Sequence, residues 1–297
     1  DVQSIEDART SAKPYEEWKD KDFGMDRNED EDAEADPLLG SEEARMYRGV
    51  TVRFDDIAPD RADIAFTVKE TARSMSSPRA SDLKKLRRLG KYLIGKPRLV
   101  WHYKWQQPLS TDVLSDTDWA GCIRTRKSTS GGCVVMGEHH VIKTWSSTQA
   151  STALSSGEAE YYGVVRAAAV GLGQQALFRD AGIHLPLRAW TDSSAAIGTA
   201  SRQGLGKLRH VDCHSLWLQQ RLRRKELELR KVSGEDNPAD LFTKHMDTAH
   251  KLQRLVKLFG CEFREGRALS APSLKKAKDD DCSRALKVRH DMTILPH

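Results

Sequence analysis

TDVLSDTDWAGCIRTRKSTSGGCVVMGEHHVIKTWSSTQASTALSSGEAEYYGVVRAAAVGLGQQALFRD, residues 111–180, sets three strand-like runs ahead of one long helix. The runs cover 111–118, 131–137 and 140–146, with turn residues between them. The helix is predicted over Ser156–Asp180, rich in Ala, Leu and Val, and Gly182 closes it. Downstream, LRAWTD (187–192) predicts a fourth strand that leads into a short helix, SSAAIGTAS (193–201). A further helix is expected over roughly 209–225, with Val211, Leu218 and Leu222 on one face. LELRKVS (227–233) predicts a fifth strand, and a helix should begin at Asn237 and Pro238. Strands and helices in this order make an α/β protein with a mixed sheet. HKLQRLVKLF (250–259) predicts one more helix, and 265–297 reads as loosely structured.

Upstream, the pattern changes. Residues 1–40 are acidic and poor in aliphatics, and NEDEDAEADP (28–37) reads as a disordered tail or linker. Helical spacing begins near Ser41. Ile64, Val68 and Ala72 mark a helix over 63–75, which should stop before Pro78. A second runs from Ser81, a plausible cap, to Gly95, with Leu83, Leu86, Leu89 and Leu93 on one face. Its other face carries Lys84, Lys85, Arg87, Arg88 and Lys91, which suits a phosphate backbone as well as a solvated surface.

Charge narrows the class. The first 45 residues hold 16 Asp and Glu against 6 Lys and Arg, and the rest hold 27 against 42. A folded portion this basic attracts polyanions, nucleic acid above all, although the charge alone fits a solvated basic surface as well. No run approaches the ~18 apolar residues of a membrane span, and no signal peptide opens the chain. A first residue that is Asp and not Met fits a piece of something longer. Five widely spaced cysteines without a CxxC pair argue against zinc or a disulfide framework and for ordinary thiols of a reducing compartment.

Four acids stand at element boundaries: Asp116 in SDTDWAG, Glu160 in SSGEAEYY, Asp192 in WTDSSAAI and Asp240 in NPADLFTK. A buried strand seldom tolerates an unpaired carboxylate, so Asp116 calls for a cation or donors. Asp118 shares its strand face and fits a ligand role equally; Asp112 reads as an edge or loop residue. Ser155 and Glu158 form a capping box, which leaves Glu160 free to face the sheet. Asp192 ends its strand at the carboxyl edge where α/β proteins place ligands, unless it merely caps the next helix. Asp240 sits in the first turn after an Asn cap, where an acid also favours the helix dipole. Hard divalent cations need such oxygen ligands, and a metal pair can activate water at a phosphate.

These motifs resemble the ribonuclease H domain of copia-type LTR retrotransposon Pol polyproteins. SDTDWAG (115–121), RKSTSGG (126–132), ALSSGEAEYY (153–162), TDSSAAI (191–197) and NPADLFTK (237–244) stand in the family's order, with GLGKLRHVD (204–212) similar to its basic segment. Residues 47–103 resemble, more loosely, the end of the reverse transcriptase. Composition at the two ends and the resemblance between them give four parts: an acidic disordered tail (1–40), the helical end of a reverse transcriptase (41–107), a ribonuclease H-like domain (108–246) and a partly helical C-terminal tail (247–297).

It further implies a five-stranded mixed sheet flanked by helices, cleaving the RNA strand of RNA–DNA hybrids with two Mg2+ ions, Mn2+ substituting. Asp116 would bridge both ions, Glu160 and Asp192 would bind one, and Asp240 would help hold the ion that activates water. Asp116 is favoured over Asp118 because the family's first ligand precedes a small residue, here Thr117. Lys127, Lys207, Arg209 and His210 are candidate contacts to nucleic acid. The implied partners are the hybrid and the rest of the reverse transcriptase, with no membrane and no small-molecule substrate. The implied setting is the cytoplasm, in a virus-like particle.

Two features depart from the pattern. The mobile His that many ribonucleases H carry before the last Asp has no counterpart in SGEDNPAD. Arg53-Phe54-Asp55-Asp56 resembles a YxDD polymerase box, but Arg replaces Tyr and too little chain precedes it for a palm. The alternative function is a non-catalytic remnant that binds nucleic acid or docks a polymerase.

Overall fold

Three helices, α1 (Ser41–Ile57), α2 (Ala65–Arg73) and α3 (Ala80–Gly95), open the computed structural model, which describes residues 36–204, 206 and 216–270. The acidic tail before Asp36, the 207–215 segment and the chain after Ser270 lie outside the described residues. Tyr47 of α1 is fully buried against Leu83 and Leu86 of α3. Its hydroxyl donates to the carbonyl of Thr71 in α2 (2.7 Å), which locks the three helices together. The cap of α3 is not Ser81. The Asp82 carboxylate accepts from the Arg79 amide (3.0 Å) and the Ser74 hydroxyl (2.9 Å), while Ser81 bonds Asp36. Arg53 to Asp56 are simply the last turns of α1.

After α3 comes β1 (Arg98–Trp101), then the main strands β2 (Thr111–Asp118), β3 (Thr129–Met136) and β4 (His140–Thr148). The long helix α4 (Ser156–Asp180) follows, then β5 (Leu187–Thr191), α5 (Ser194–Ser201), α6 (Trp217–Arg223) and β6 (Glu228–Lys231). The five-stranded sheet has the order β4-β3-β2-β5-β6. Pairing is antiparallel across β4, β3 and β2, and parallel across β2, β5 and β6. It is the mixed sheet flanked by helices that the motifs imply, with flanking helices crossing between its parallel strands.

The expected helix at Asn237 is a 3-10 turn, Pro238–Phe242. Helix α7 (Ala249–Leu258) and strand β7 (Cys261–Arg264) follow it. β7 pairs antiparallel with β1, so the strand that follows the upstream helices and the C-terminal segment form one small second sheet. Neither four-residue strand shows an alternation that sequence periodicity detects.

Side chains alternate across the main sheet. On one face Val113, Val134, Leu187 and Ala189 pack on Tyr161, Val164, Ala167 and Ala168 of α4. Gly163 and Gly171 let this helix lie close, since a Cβ at Gly163 would come 2.4 Å from Thr117 Oγ1. On the other face Cys133 and Val135 pack on Leu241, Phe242, Leu255 and Phe259. Ala62 and partly buried Leu99 and Trp101 join that second cluster, so it is built from upstream, central and C-terminal chain together. Burying each such Val, Leu or Phe contributes about 1.5–3 kcal/mol. Cys122, Cys133 and Cys261 are free thiols. No helix among the described residues is long and apolar enough to cross a membrane.

Candidate active site

Asp116 stands near the end of β2, opposite Gly131 of β3, and is only 3% exposed. The glycine matters. A Cβ at residue 131 would lie 2.6 Å from Phe242 Cβ and 2.8 Å from Thr243 Cγ2, so only Gly admits the 238–243 turn beside Asp116. Asn237 fixes that turn, donating its side-chain amide to the Ser115 carbonyl (2.9 Å) and accepting from the Ala239 amide (3.2 Å). Thr243 then donates its hydroxyl to Asp116.

Glu160 arrives on the first turns of α4. Ser155 caps the helix, accepting from the Glu158 amide (3.2 Å). Glu158 turns back to the Leu154 amide (3.1 Å), one residue before the cap, so Glu160 is spared for the sheet edge. Gly157 brings this helix start within Cβ contact of Ala195 at the start of α5, drawing Glu160 toward β5. Asp192 follows β5 directly. The next helix is capped by Ser193, which accepts from the Ala196 amide (3.1 Å), so Asp192 is not spent on the cap.

Three of the four acids converge: ligand oxygens of Asp116, Glu160 and Asp192 all lie within 4.8 Å of one another. Burial and the charges of Asp116 and Asp192 push the Glu160 carboxyl up to about 9. Burial lifts Asp116 to about 6, with Lys244 pulling it back. Such crowding of like charge is what a divalent cation relieves, and an all-oxygen donor set suits Mg2+ or Mn2+. The residues fit the ion the motifs imply.

Asp240 is 3% exposed but stands outside this trio. Its carboxylate accepts from Lys244 (3.0 Å to Oδ1) and from Lys251 of α7 (2.9 Å to Oδ2). Lys244 also reaches Asp116 (3.6 Å) and thereby joins Asp240 to the cluster. Burial alone would lower the Lys244 ammonium, yet Asp116 and Asp240 outweigh it and hold it above the usual lysine range. Asp118 stays apart. Its carboxylate folds over the Gly121 turn, where a Cβ would come 1.7 Å from Asp118 Oδ2.

Asp112 is neither edge nor loop. It is buried inside β2, paired with Arg188 of β5 (2.6 Å) and accepting from Trp190 Nε1 (2.6 Å) and the Ser110 hydroxyl (2.7 Å). Lys127 lies in the loop joining β2 to β3, at the carboxylate end of the sheet. Lys207, Arg209 and His210 lie outside the described residues. His245, five residues past Asp240, is half-buried, packs edge-on to Phe66 (4.7 Å), and is pushed down to about 4 by desolvation. Sequence reading passed over Lys244 and Lys251, although Lys244 sits i+4 from Asp240 within the same motif.

No protein-family model matches the chain. The retrovirus-related Pol polyprotein from transposon RE1 of Arabidopsis thaliana is 29% identical over 201 residues, 67% of this chain. The Pol polyprotein from transposon TNT 1-94 of Nicotiana tabacum is 26% identical over 186 residues. These Pol polyproteins, to which the chain is similar, come from copia-like transposons. The chain spans 14% of the length of these curated relatives. An uncharacterized mitochondrial protein of Arabidopsis thaliana is 30% identical over 124 residues, 51% of its length. Among solved structures, LC11-RNase H1, isolated from compost, aligns with 46% of this chain and 93% of its own, at 16% identity and a TM-score of 0.34. RNase H1 of Halobacterium salinarum aligns with 45% of this chain at 16% identity and a TM-score of 0.29.

Proposed function

We propose that this chain is a metal-dependent endonuclease that hydrolyses the RNA strand of RNA–DNA hybrids as part of a retrotransposon polyprotein. In that reading residues 108–246 are the ribonuclease H-like domain, 41–107 the end of a reverse transcriptase and 247–297 a C-terminal tail. The observation that carries the proposal is the gathering of Asp116, Glu160 and Asp192 within 4.8 Å, with Asp240 linked through Lys244.

Asp116, Glu160 and Asp192 would hold one ion, and Asp116 with Asp240 a second. When bound, a pair of Mg2+ ions supplies an activated water and neutralises charge on the scissile phosphate. The chain's own residues aim and steady the carboxylates. Asn237 pins the Asp240 turn to β2, Thr243 holds one Asp116 oxygen, and Ser155 and Ser193 take over capping so that Glu160 and Asp192 stay free. No side-chain nucleophile is needed: water bonds to phosphorus, the 3′-oxygen departs with a proton, and the ends are a 5′-phosphate and a 3′-hydroxyl. Recognition through phosphates and 2′-hydroxyls gives little sequence preference. Lys127 stands at the right end of the sheet to meet a phosphate.

The test compares a hybrid, an RNA duplex and a DNA duplex of one sequence, with product ends mapped. Hybrid-selective cleavage in Mg2+ leaving 5′-phosphates supports the proposal. Salt-sensitive binding without hydrolysis would favour a non-catalytic remnant.

A further inference from the structure

Lys244 occupies ground that a second divalent ion would claim. Its ammonium is 3.0 Å from Asp240 Oδ1 and 3.6 Å from Asp116 Oδ2, between the two carboxylates assigned to that ion. The other Asp240 oxygen faces Lys251 at 2.9 Å. Both oxygens of Asp240 therefore meet ammonium groups, whereas Asp116, Glu160 and Asp192 converge on one another within 4.8 Å. A lysine charge and a divalent ion repel across so short a gap, and both compete for the same carboxylate oxygens. One must leave for the other to enter.

We propose that Lys244 is a built-in cation on the Asp116–Asp240 side of the site. The resting protein takes one divalent ion, at Asp116, Glu160 and Asp192, and a second enters beside Asp240 only when the Lys244 ammonium moves away. This rests on the reading of Asp240 as a ligand of the second ion. The lysine has somewhere to go. Its side chain is 41% exposed, so the ammonium can swing out into solvent. Lys244 thus acts as a positioning residue, keeping Asp116 and Asp240 together while the second ion is absent. It also makes that ion's entry conditional, so that a phosphate arriving with substrate can draw the ammonium off Asp240.

Counting bound Mn2+ on the full chain, by the electron paramagnetic resonance signal of the free ion, tests this without reference to cleavage. Wild type and Lys244→Arg should bind one ion at concentrations where Lys244→Met and Lys244→Gln bind two. The neutral variants should hold the second at least about fivefold more tightly, the low end of site-to-site coupling. Their spectra should show the spin coupling of two adjacent ions. A neutral variant that folds only in Mn2+ and then holds two ions gives the same support. Two ions bound equally tightly by wild type, or a single ion in both neutral variants, overturns the role of Lys244. No Mn2+ bound by any of the four overturns the metal site itself and this proposal with it.

Discussion

The side-chain amide of Asn237 lies 2.9 Å from the carbonyl oxygen of Ser115, joining residues 122 apart in sequence. Ser115 precedes Asp116, and Asn237 begins the turn that carries Asp240. One buried hydrogen bond therefore sets the spacing between two of the four acids. Replacing Asn237 by Ala strands the Ser115 carbonyl and frees the Ala239 amide. Chemical denaturation should show a loss of about 2 kcal/mol, and hybrid cleavage should fall further than the unfolded fraction explains.

Gly131→Ala places a methyl group where Phe242 and Thr243 already stand. Overpacking of this kind costs about 1–3 kcal/mol, and relief must come from the Asp240 turn backing away from β2. The variant should stay folded at room temperature, lose cleavage, and bind the first Mn2+ more nearly normally than it cleaves.

Glu160 contributes a pH-dependent term to the stability of the ion-free protein. Its carboxyl is held up at about 9 in the fold, against roughly 4.3 unfolded. The folded state keeps the extra proton, so this stabilisation is complete below the unfolded value and is lost as pH rises through the folded one. Asp116, at about 6, and His245, at about 4 against roughly 6.5 unfolded, act mostly below this window. In chelator, stability should fall by up to about 1.4 kcal/mol per pH unit between pH 7 and 9. Thermal unfolding of Glu160→Gln, or of wild type in saturating Mg2+, should show a flatter dependence.

Asp112 supplies a contrast. It resembles the site acids in burial, but its partners are Arg188, Trp190 and Ser110. Asp112→Ala leaves Arg188 without its counter-charge and should cost about 3 kcal/mol. The rate per folded molecule should stay at the wild-type value, which a cleavage assay corrected for folded fraction would show.

What could be read from sequence follows the physics of each part. The β2–β4 run, α4 and β5 announce themselves through local periodicity and turn residues, and α4 has the bounds its pattern predicts. That Asp116, Glu160 and Asp192 come together could be read from the sequence because each sits near an element boundary. The pairing of β1 with β7 was not, since two four-residue strands far apart in sequence carry no local signal. Asp112 was misread for the same reason: its partner Arg188 comes beside it only once β5 lies parallel to β2. The two lysines on Asp240 divide similarly, Lys244 by an i+4 spacing visible in the motif and Lys251 by the docking of α7.

Incubating the chain with a hybrid labelled on its RNA strand, in Mg2+, beside Asp192→Asn, tests the carboxylate site most directly. Wild type should cleave the RNA, and the variant should lose at least about 100-fold, since even outer-shell partners of a metal are worth ~10–100-fold. Equal cleavage by the two proteins, or none by a folded wild type that binds the ion, would contradict the site.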